Sequence, residues 1–219
     1  MPPDVLVVYK KNFEEVHDKA LATVRDSLGE LVSDRGITIS YKARETVSRE
    51  DFVGRDLVII LGGDGTLTSI AHSIDSETPV MGVNSHPQDD DEDGSYGFYM
   101  GSDKNHFAED VRSALDGAGI VNVLPRLQAE IVTTSGKTVL SDPALNDLII
   151  ANTHQYQPSI YRLERSADGD HGDIDAVQRS SGCLFSTFLG QGAWFRHVVN
   201  IEGATFPMDE VNERYLFAS

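Results

Sequence analysis

The sequence predicts an α/β N-terminal domain built on a doubly wound parallel sheet, followed by a β-rich, sandwich-like second domain. Three observations carry this prediction. Short β-branched and aliphatic runs, "VLVVY" (5–9), "DLVIIL" (56–61) and "PVMGV" (79–83), read as strands buried on both faces. Between them apolar residues recur at helical spacing, so strand and helix alternate as in α/β folds. Beyond about residue 120 the period becomes two, and short strand-like pieces follow one another. The expected domains are therefore 1–119 and 120–219.

The elements follow in order. After the first strand, Phe13, Val16, Ala20, Leu21, Val24, Leu28 and Leu31 share a helix face, and Gly36 supplies the stop. Ile37 to Tyr41 alternates as a strand. Asp56 to Leu61 is the most apolar strand, with a short helix expected over Thr66 to Ser73 and a further strand over Pro79 to Val83. "QDDDEDG" (88–94) holds five consecutive acids and is expected to be an exposed loop; adjacent like charges point different ways and do not make a metal cluster. Phe107, Val111 and Leu115 mark an amphipathic helix ending near Gly117 or Gly119. In the second domain "VNVLPRLQAEIVTTSGKTVL" (121–140) reads as a hairpin turning at "TSGK", and "NDLIIA", "SIYRLERS", "CLFSTFL" and "HVVNIEG" continue in short β-like pieces.

Composition excludes several functions. The net charge is −17, with 22 Asp and 13 Glu against 12 Arg and 6 Lys, so nucleic acid and anionic membranes are repelled. An Asp-rich, Lys-poor surface suits work in concentrated salt, where self-repulsion is screened, and a halophilic cytoplasm is the hypothesis. Neither a secretory segment nor an 18-residue apolar span is present, so a cytoplasmic protein is expected. Cys183 stands alone, which rules out an intrachain disulfide and a thiolate cluster. His72, His86, His154, His171 and His197 lack paired metal spacing.

The stretch "LVIILGGDGTLTSI" (57–70) runs from a buried strand through Gly62, Gly63, Asp64, Gly65 and Thr66 into a helix. Open α/β sheets bind ligands at that edge, and glycines there let backbone N–H groups approach phosphate oxygens. The stretch is neither the Walker lysine loop nor the dinucleotide Gly-x-Gly-x-x-Gly fingerprint. It places a carboxylate where phosphates would sit. Such an acid has a purpose there if it takes a proton from an attacking hydroxyl, meets a magnesium ion or, more simply, caps the helix. Lys10 and Lys11 follow the first strand at the same edge, within reach of a phosphate, but a solvated pair explains them more readily.

"GGDGT" resembles the signature shared by NAD kinases and diacylglycerol-type lipid kinases, with a related Gly-Gly-Asp-Gly-Ser form in 6-phosphofructokinases. Three further stretches point to the first of these. "PVMGVN", ending at Asn84, is similar to the NAD kinase strand Pro-Val-Ile-Gly-Val-Asn. "ALNDLII", with Asn146 and Asp147, resembles their Ala-Leu-Asn-Glu/Asp motif. "SSGCLFSTFLGQGAW" (180–194) stands where that family has Thr-Pro-Thr-Gly-Ser-Thr-Ala-Tyr; Thr187, Gly190 and Ala193 match, and Trp194 replaces Tyr. Phe188, Leu189, Gln191 and Gly192 depart from the pattern, while the Ser-Ser-Gly start and the Ala-Trp end look closer to the divergent, mitochondrial-type branch of the family. The family's Gly-x-x-Gly-Phe-Leu is stretched here by the acidic insertion into "SHPQDDDEDGSYGFY". "ERYLFAS" resembles a late strand that the family continues for several more, so the expectation is either an abbreviated second domain or, preferred, part of a longer polypeptide.

The resemblance implies an enzyme moving the γ-phosphoryl of ATP or polyphosphate to the 2′-hydroxyl of the adenosine ribose of NAD, making NADP. It implies Asp64 as general base and Gly62, Gly63, Gly65 and Thr66 as the phosphate cradle, with a magnesium ion held by the donor phosphates rather than by a metal site of the chain. Asn84, Asn146, Asp147, Thr187, Gly190, Ala193 and Trp194 are the implied NAD contacts; Arg196, read from its charge alone, suits a phosphate or equally one of the chain's many acids. Relatives of this kind imply a homo-oligomer, dimer or tetramer, with small molecules as its other partners. A lipid or sugar kinase using the same loop, or a non-catalytic nucleotide-binding regulator, remain the alternatives.

Overall fold

Residues Val5 to Val8 and Val58 to Ile60 are wholly inaccessible to solvent, because strands in the middle of a parallel sheet are covered on both faces. The computed structural model describes residues 2–11, 15–88, 92–154, 156–162, 177–195 and 215–218. It divides into two compact units, residues 1–123 and 124–219.

The first unit carries β1 (Asp4–Tyr9), α1 (Glu15–Arg35), β2 (Thr38–Ala43), α2 (Arg49–Phe52), β3 (Leu57–Gly62), α3 (Asp64–Ile70), β4 (Val80–Asn84), β5 (Ser102–Asp103) and α4 (Phe107–Leu115). The five strands form one sheet in the order β2-β1-β3-β4-β5, every pair parallel. The predicted α/β class is therefore observed, with β5 and α2 added. Two strand residues and four helical ones are too short to show a period.

Alternation along the strands divides the core into two layers. Val5, Val7, Leu57, Ile59 and Leu61 pack with Ala20, Val24, Leu28 and Leu31 of α1 and with Phe107 and Val111 of α4. Leu6, Val8, Val58 and Ile60 alternate with these and face the other way, equally inaccessible; Phe52, Leu67, Ile70, Ala71 and Ile74 are also buried in this unit. α1 ends where the sequence expects: Gly36 takes φ +68 and its amide closes on the Val32 carbonyl at 3.0 Å. The expected face of α1 begins within the described residues at Val16; Phe13 lies outside them.

The second unit is antiparallel and β-rich. β6 (Glu130–Val132) and β7 (Thr138–Leu140) form the expected hairpin, closed by the Thr133 amide on the Lys137 carbonyl at 2.9 Å. β8 (Asp147–Ala151), β11 (Gly182–Thr187) and β12 (Tyr215–Ala218) make a three-stranded sheet in the order β12-β11-β8, and β9 (Ser159–Arg162) pairs with β10 (Val177–Ser180). The segment "HVVNIEG", with His197, and also His171 and Arg196, lie outside the described residues.

Candidate active site

In the first sheet β1 leads to β2 on one side and β3 leads to β4 on the other, so chain direction across the sheet reverses between β1 and β3. Crossovers diverge at such a point and leave a crevice at the carboxyl ends of the two strands. Gly62 to Asp64 occupies that edge. β3 is buried over all six residues, and Gly62 must be glycine: a Cβ there would stand 2.2 Å from the Thr66 hydroxyl. Gly63 is the residue before the helix, and a Cβ on it would meet the Ser95 hydroxyl at 2.7 Å. Gly65 is different: it is exposed, and an added Cβ would meet nothing within 4 Å. Thr66 is 3 % exposed, its side chain turned against Gly62 and its amide bonded to the Gly63 carbonyl at 2.8 Å.

Asp64 is not a helix cap. Gly63 holds the cap position with no side-chain bond, and Asp64 is the first helical residue. Its carboxylate points instead to a later segment: the Phe98 amide donates to Oδ2 at 3.0 Å and the Tyr99 amide to Oδ1 at 2.8 Å. Each oxygen thus has one backbone donor and keeps acceptor capacity for a further hydrogen. The same segment is tied down along its length. The Ser95 hydroxyl accepts from the Asp64 amide at 3.4 Å and the Gly97 amide at 3.3 Å, and the Asn84 amide nitrogen donates to the Ser95 carbonyl at 3.0 Å. Asn84 is 5 % exposed, and its Oδ1 accepts from the His86 amide, so its side chain serves the loop that holds Asp64. Gly97 sits at φ +72 beside the Asn84 side chain, a conformation and a clearance that together require glycine.

A cavity of about 310 Å³ opens at the β4–β5 edge, lined by residues that include Asn84, Gly97, Asp103 and His106. His106 pairs with Asp103 at 2.9 Å, which raises the imidazole above its ordinary value and holds the carboxyl below its own against the opposing effect of burial. Among the described residues no three His, Cys, Asp or Glu side chains converge where an ion could be held.

In the second unit the structure brings together two motifs that are 40 residues apart. The Thr187 hydroxyl donates to the Leu145 carbonyl at 2.7 Å, and its amide donates to the Asn146 carbonyl at 2.8 Å. Thr187 in turn accepts from the Gly190 amide at 3.1 Å, and Gly190 accepts from the Ala193 amide at 2.9 Å. A Cβ on Gly190 would stand 2.4 Å from the Ser186 hydroxyl and 2.5 Å from the Asn146 carbonyl, so only glycine closes this turn. Asp147 begins β8 opposite Ser186, with Oδ1 buried and lacking any hydrogen-bond partner. Burial raises its carboxyl above the ordinary value, opposed in part by the Ser186 hydroxyl and the Trp194 amide. Trp194 is 52 % exposed.

Sequence reasoning missed Ser95, Phe98 and Tyr99 as the residues that orient Asp64, and His17 and Ser85 beside them. The only sequence signal was "GSYGFY" after the insertion, read as a stretched motif rather than as the partner of Asp64.

The family model described as the ATP-NAD kinase N-terminal domain matches residues 7–116. The chain is 31 % identical to an NAD kinase of Halorhodospira halophila over 68 % of its own length and 46 % of that protein's. It is 26 % identical to human mitochondrial NAD kinase 2 over 82 % of its length and 46 % of that protein's. The chain thus spans about half the length of the curated relatives it matches. The crystal structure of an Archaeoglobus fulgidus NAD kinase in complex with ATP superposes with a TM-score of 0.59 at 17 % identity, covering 90 % of this chain and 65 % of that one. At that identity the likeness establishes the fold, with a parallel α/β sheet first and an antiparallel β-rich unit after it.

Proposed function

The chain belongs to the NAD kinase family, whose N-terminal domain it carries over residues 7–116, and from that premise we propose that it phosphorylates NAD to NADP. In this reading the ribose 2′-hydroxyl oxygen attacks the terminal phosphorus of ATP or polyphosphate, its proton passes to Asp64, and the shortened donor leaves. The observation that carries the reading is the Asp64 carboxylate at the switch-point edge of the sheet, each oxygen held by one backbone amide. Phosphoryl transfer depends mostly on positioning and charge stabilisation, so a carboxylate fixed by main-chain donors suits a base that must not swing.

Gly62, Gly63, Gly65 and Thr66 form the phosphate cradle in this proposal, and the open space over Gly65 supports it. Asn146 and Asp147 grip NAD. An acid with an unpartnered buried oxygen is suited to a ribose hydroxyl, which would supply the missing hydrogen bond. Thr187, Gly190 and Ala193 shape that wall, Trp194 offers a ring face for stacking, and Asn84 serves through the loop it anchors. A divalent ion would neutralise the donor phosphates and arrive with them.

Among the described residues no helix is long and apolar enough to cross a membrane, and we place the reaction in the cytoplasm. We also take copies of the chain to assemble as a dimer or tetramer. Ile149 and Ile150, adjacent on β8 and so on opposite faces, are 48 % and 52 % exposed, which leaves apolar surface to cover. Light scattering on the purified chain measures this directly.

The decisive experiment incubates the protein with ATP, magnesium and NAD and measures NADP with an NADP-specific dehydrogenase, beside Asp64→Asn. NADP formation that falls by roughly 10²–10⁴-fold in the variant is the expected result. NAD binding without NADP would favour a regulatory protein, and phosphorylation of a diacylglycerol or sugar panel would favour another kinase class.

A further inference from the structure

We infer that His17 is a positioning residue for Asp64, acting through Ser85; the inference rests on the reading of Asp64 as the base. His17 lies near the start of α1 and is half-buried. Its Nδ1 stands 2.7 Å from the hydroxyl of Ser85, the residue that follows β4, 68 positions away. Ser85 is 1 % exposed, so its hydroxyl is bonded to the imidazole rather than to bulk water.

Ser85 sits at a joint. Its amide donates to the Gly62 carbonyl at 3.0 Å, fastening the end of β4 to the end of β3. The residues on either side both hold Ser95. Asn84 donates from its side chain to the Ser95 carbonyl at 3.0 Å, and the His86 carbonyl accepts from the Ser95 amide at 2.7 Å. The Asn84 side chain also accepts from the His86 amide at 3.1 Å, so residues 84 to 86 form one closed corner. Ser95 begins the short segment whose Phe98 and Tyr99 amides hold the two oxygens of Asp64. The His86 ring stands edge-on to the His17 ring, with centroids 6.3 Å apart, and buttresses the corner from the α1 side. Strand pairing secures β4 up to Asn84. Beyond it, the His17–Ser85 bond links α1 through side chains to the corner on which the Asp64-holding segment hangs.

Removing the imidazole frees the Ser85 side chain and loosens the corner, and the amides at 98 and 99 lose their fixed aim. Substrate binding is not the step affected; the alignment of the base is. A displacement of about 1 Å at a reacting group is worth up to about 10²-fold in rate, so partial loosening should cost roughly tenfold.

The test uses the full chain as wild type, His17→Ala, Ser85→Ala, the double variant and His17→Asn, whose side-chain amide can keep a bond to the Ser85 hydroxyl. Hydrogen exchange is followed over residues 95–99 and, as reference, over β1 and β3; kcat and KM for NAD are measured in parallel. Each alanine variant is expected to speed exchange at 95–99 while leaving β1 and β3 unchanged. Each should lower kcat about tenfold with KM for NAD held within about twofold. The double variant should be no worse than either single one, because both remove the same bond, and His17→Asn should recover most of kcat. Unchanged exchange at 95–99, exchange rising equally in the strands, or additive losses in the double variant would overturn the inference. A wild type that makes no NADP sinks the functional reading instead, and the exchange measurements still decide whether His17 governs this segment.

Discussion

Asp64 combines two roles in one carboxylate, and substitutions separate them. Asp64→Asn removes the proton acceptor and also turns an NH₂ group toward the amide of Phe98 or Tyr99, forfeiting one hydrogen bond. That part should cost about 1–2 kcal/mol of stability, visible in denaturant unfolding, and it is too small to explain a loss of several decades in rate. Gly65 gives the converse test. It is exposed, its backbone is helical and no atom contests the space of a Cβ, so Gly65→Ala should leave stability unchanged or raise it by up to about 1 kcal/mol. If donor phosphates approach this backbone, the same methyl group should raise KM for ATP at least tenfold; unchanged KM would remove Gly65 from the cradle. Asp147 adds a pH dependence. Its carboxyl lies above the ordinary value through burial, so the folded chain binds this proton more tightly than the unfolded chain does. The resulting stability is present in acid, below the unfolded value, and is lost as pH rises through the folded one. At neutral pH the ionised group therefore opposes folding. Asp147→Asn should melt higher than wild type at pH 7 while binding NAD more weakly, and the gain should shrink toward low pH; a variant less stable at pH 7 would contradict this.

Elements with their own period or their own stop residue were legible, and contacts between distant segments were not. The apolar strands 5–9 and 56–61, the face of α1 at Ala20, Val24, Leu28 and Leu31, and the turn at "TSGK" each announce themselves within a few residues. β5 pairs over two residues only, and no local pattern marks it. The bonds that aim Asp64 join positions 34 and 35 residues apart, and the His17–Ser85 pair joins positions 68 apart; neither leaves a periodic trace. Glycines were legible as punctuation but not by function. Gly65 leaves open space, whereas Gly190 is a packing necessity locked between β8 and β11. Gly190→Ala would drive a methyl group into the Asn146 carbonyl, a main-chain atom that cannot rotate away. We expect a loss of roughly 1–3 kcal/mol, read as a lower denaturation midpoint, with a local rise in hydrogen exchange at 145–147. A midpoint unchanged by that substitution would mean that the turn at 187–190 is not closed against β8.

Charge acts on the molecule as a whole. The chain carries 35 acidic side chains against 18 Lys and Arg, and the cations already have partners in several places. Arg35 with Asp116 and Arg112 with Glu30 tie α1 to α4, and Arg55 with Asp4 ties the approach to β3 to the start of β1. These pairs are exposed or partly exposed, so their attraction is small and salt would weaken it further. The surplus of 17 negative charges has no such partners to set against it, and its mutual repulsion opposes the compact state over distances comparable to the Debye length. That length falls from about 10 Å at 0.1 M salt to about 3 Å at 1 M. Relief of repulsion should therefore outweigh loss of pairing, and the melting temperature should climb steeply between about 0.1 and 1 M potassium chloride. Screening saturates beyond that range, so a further rise toward about 3 M, stronger in potassium sulfate than in chloride at equal ionic strength, would mark solvent exclusion from the surface rather than charge. Thermal unfolding across the two salts separates the two effects. A melting temperature that is flat or falls below about 1 M would show that the exposed ion pairs dominate, and would remove the case for a chain adapted to concentrated salt.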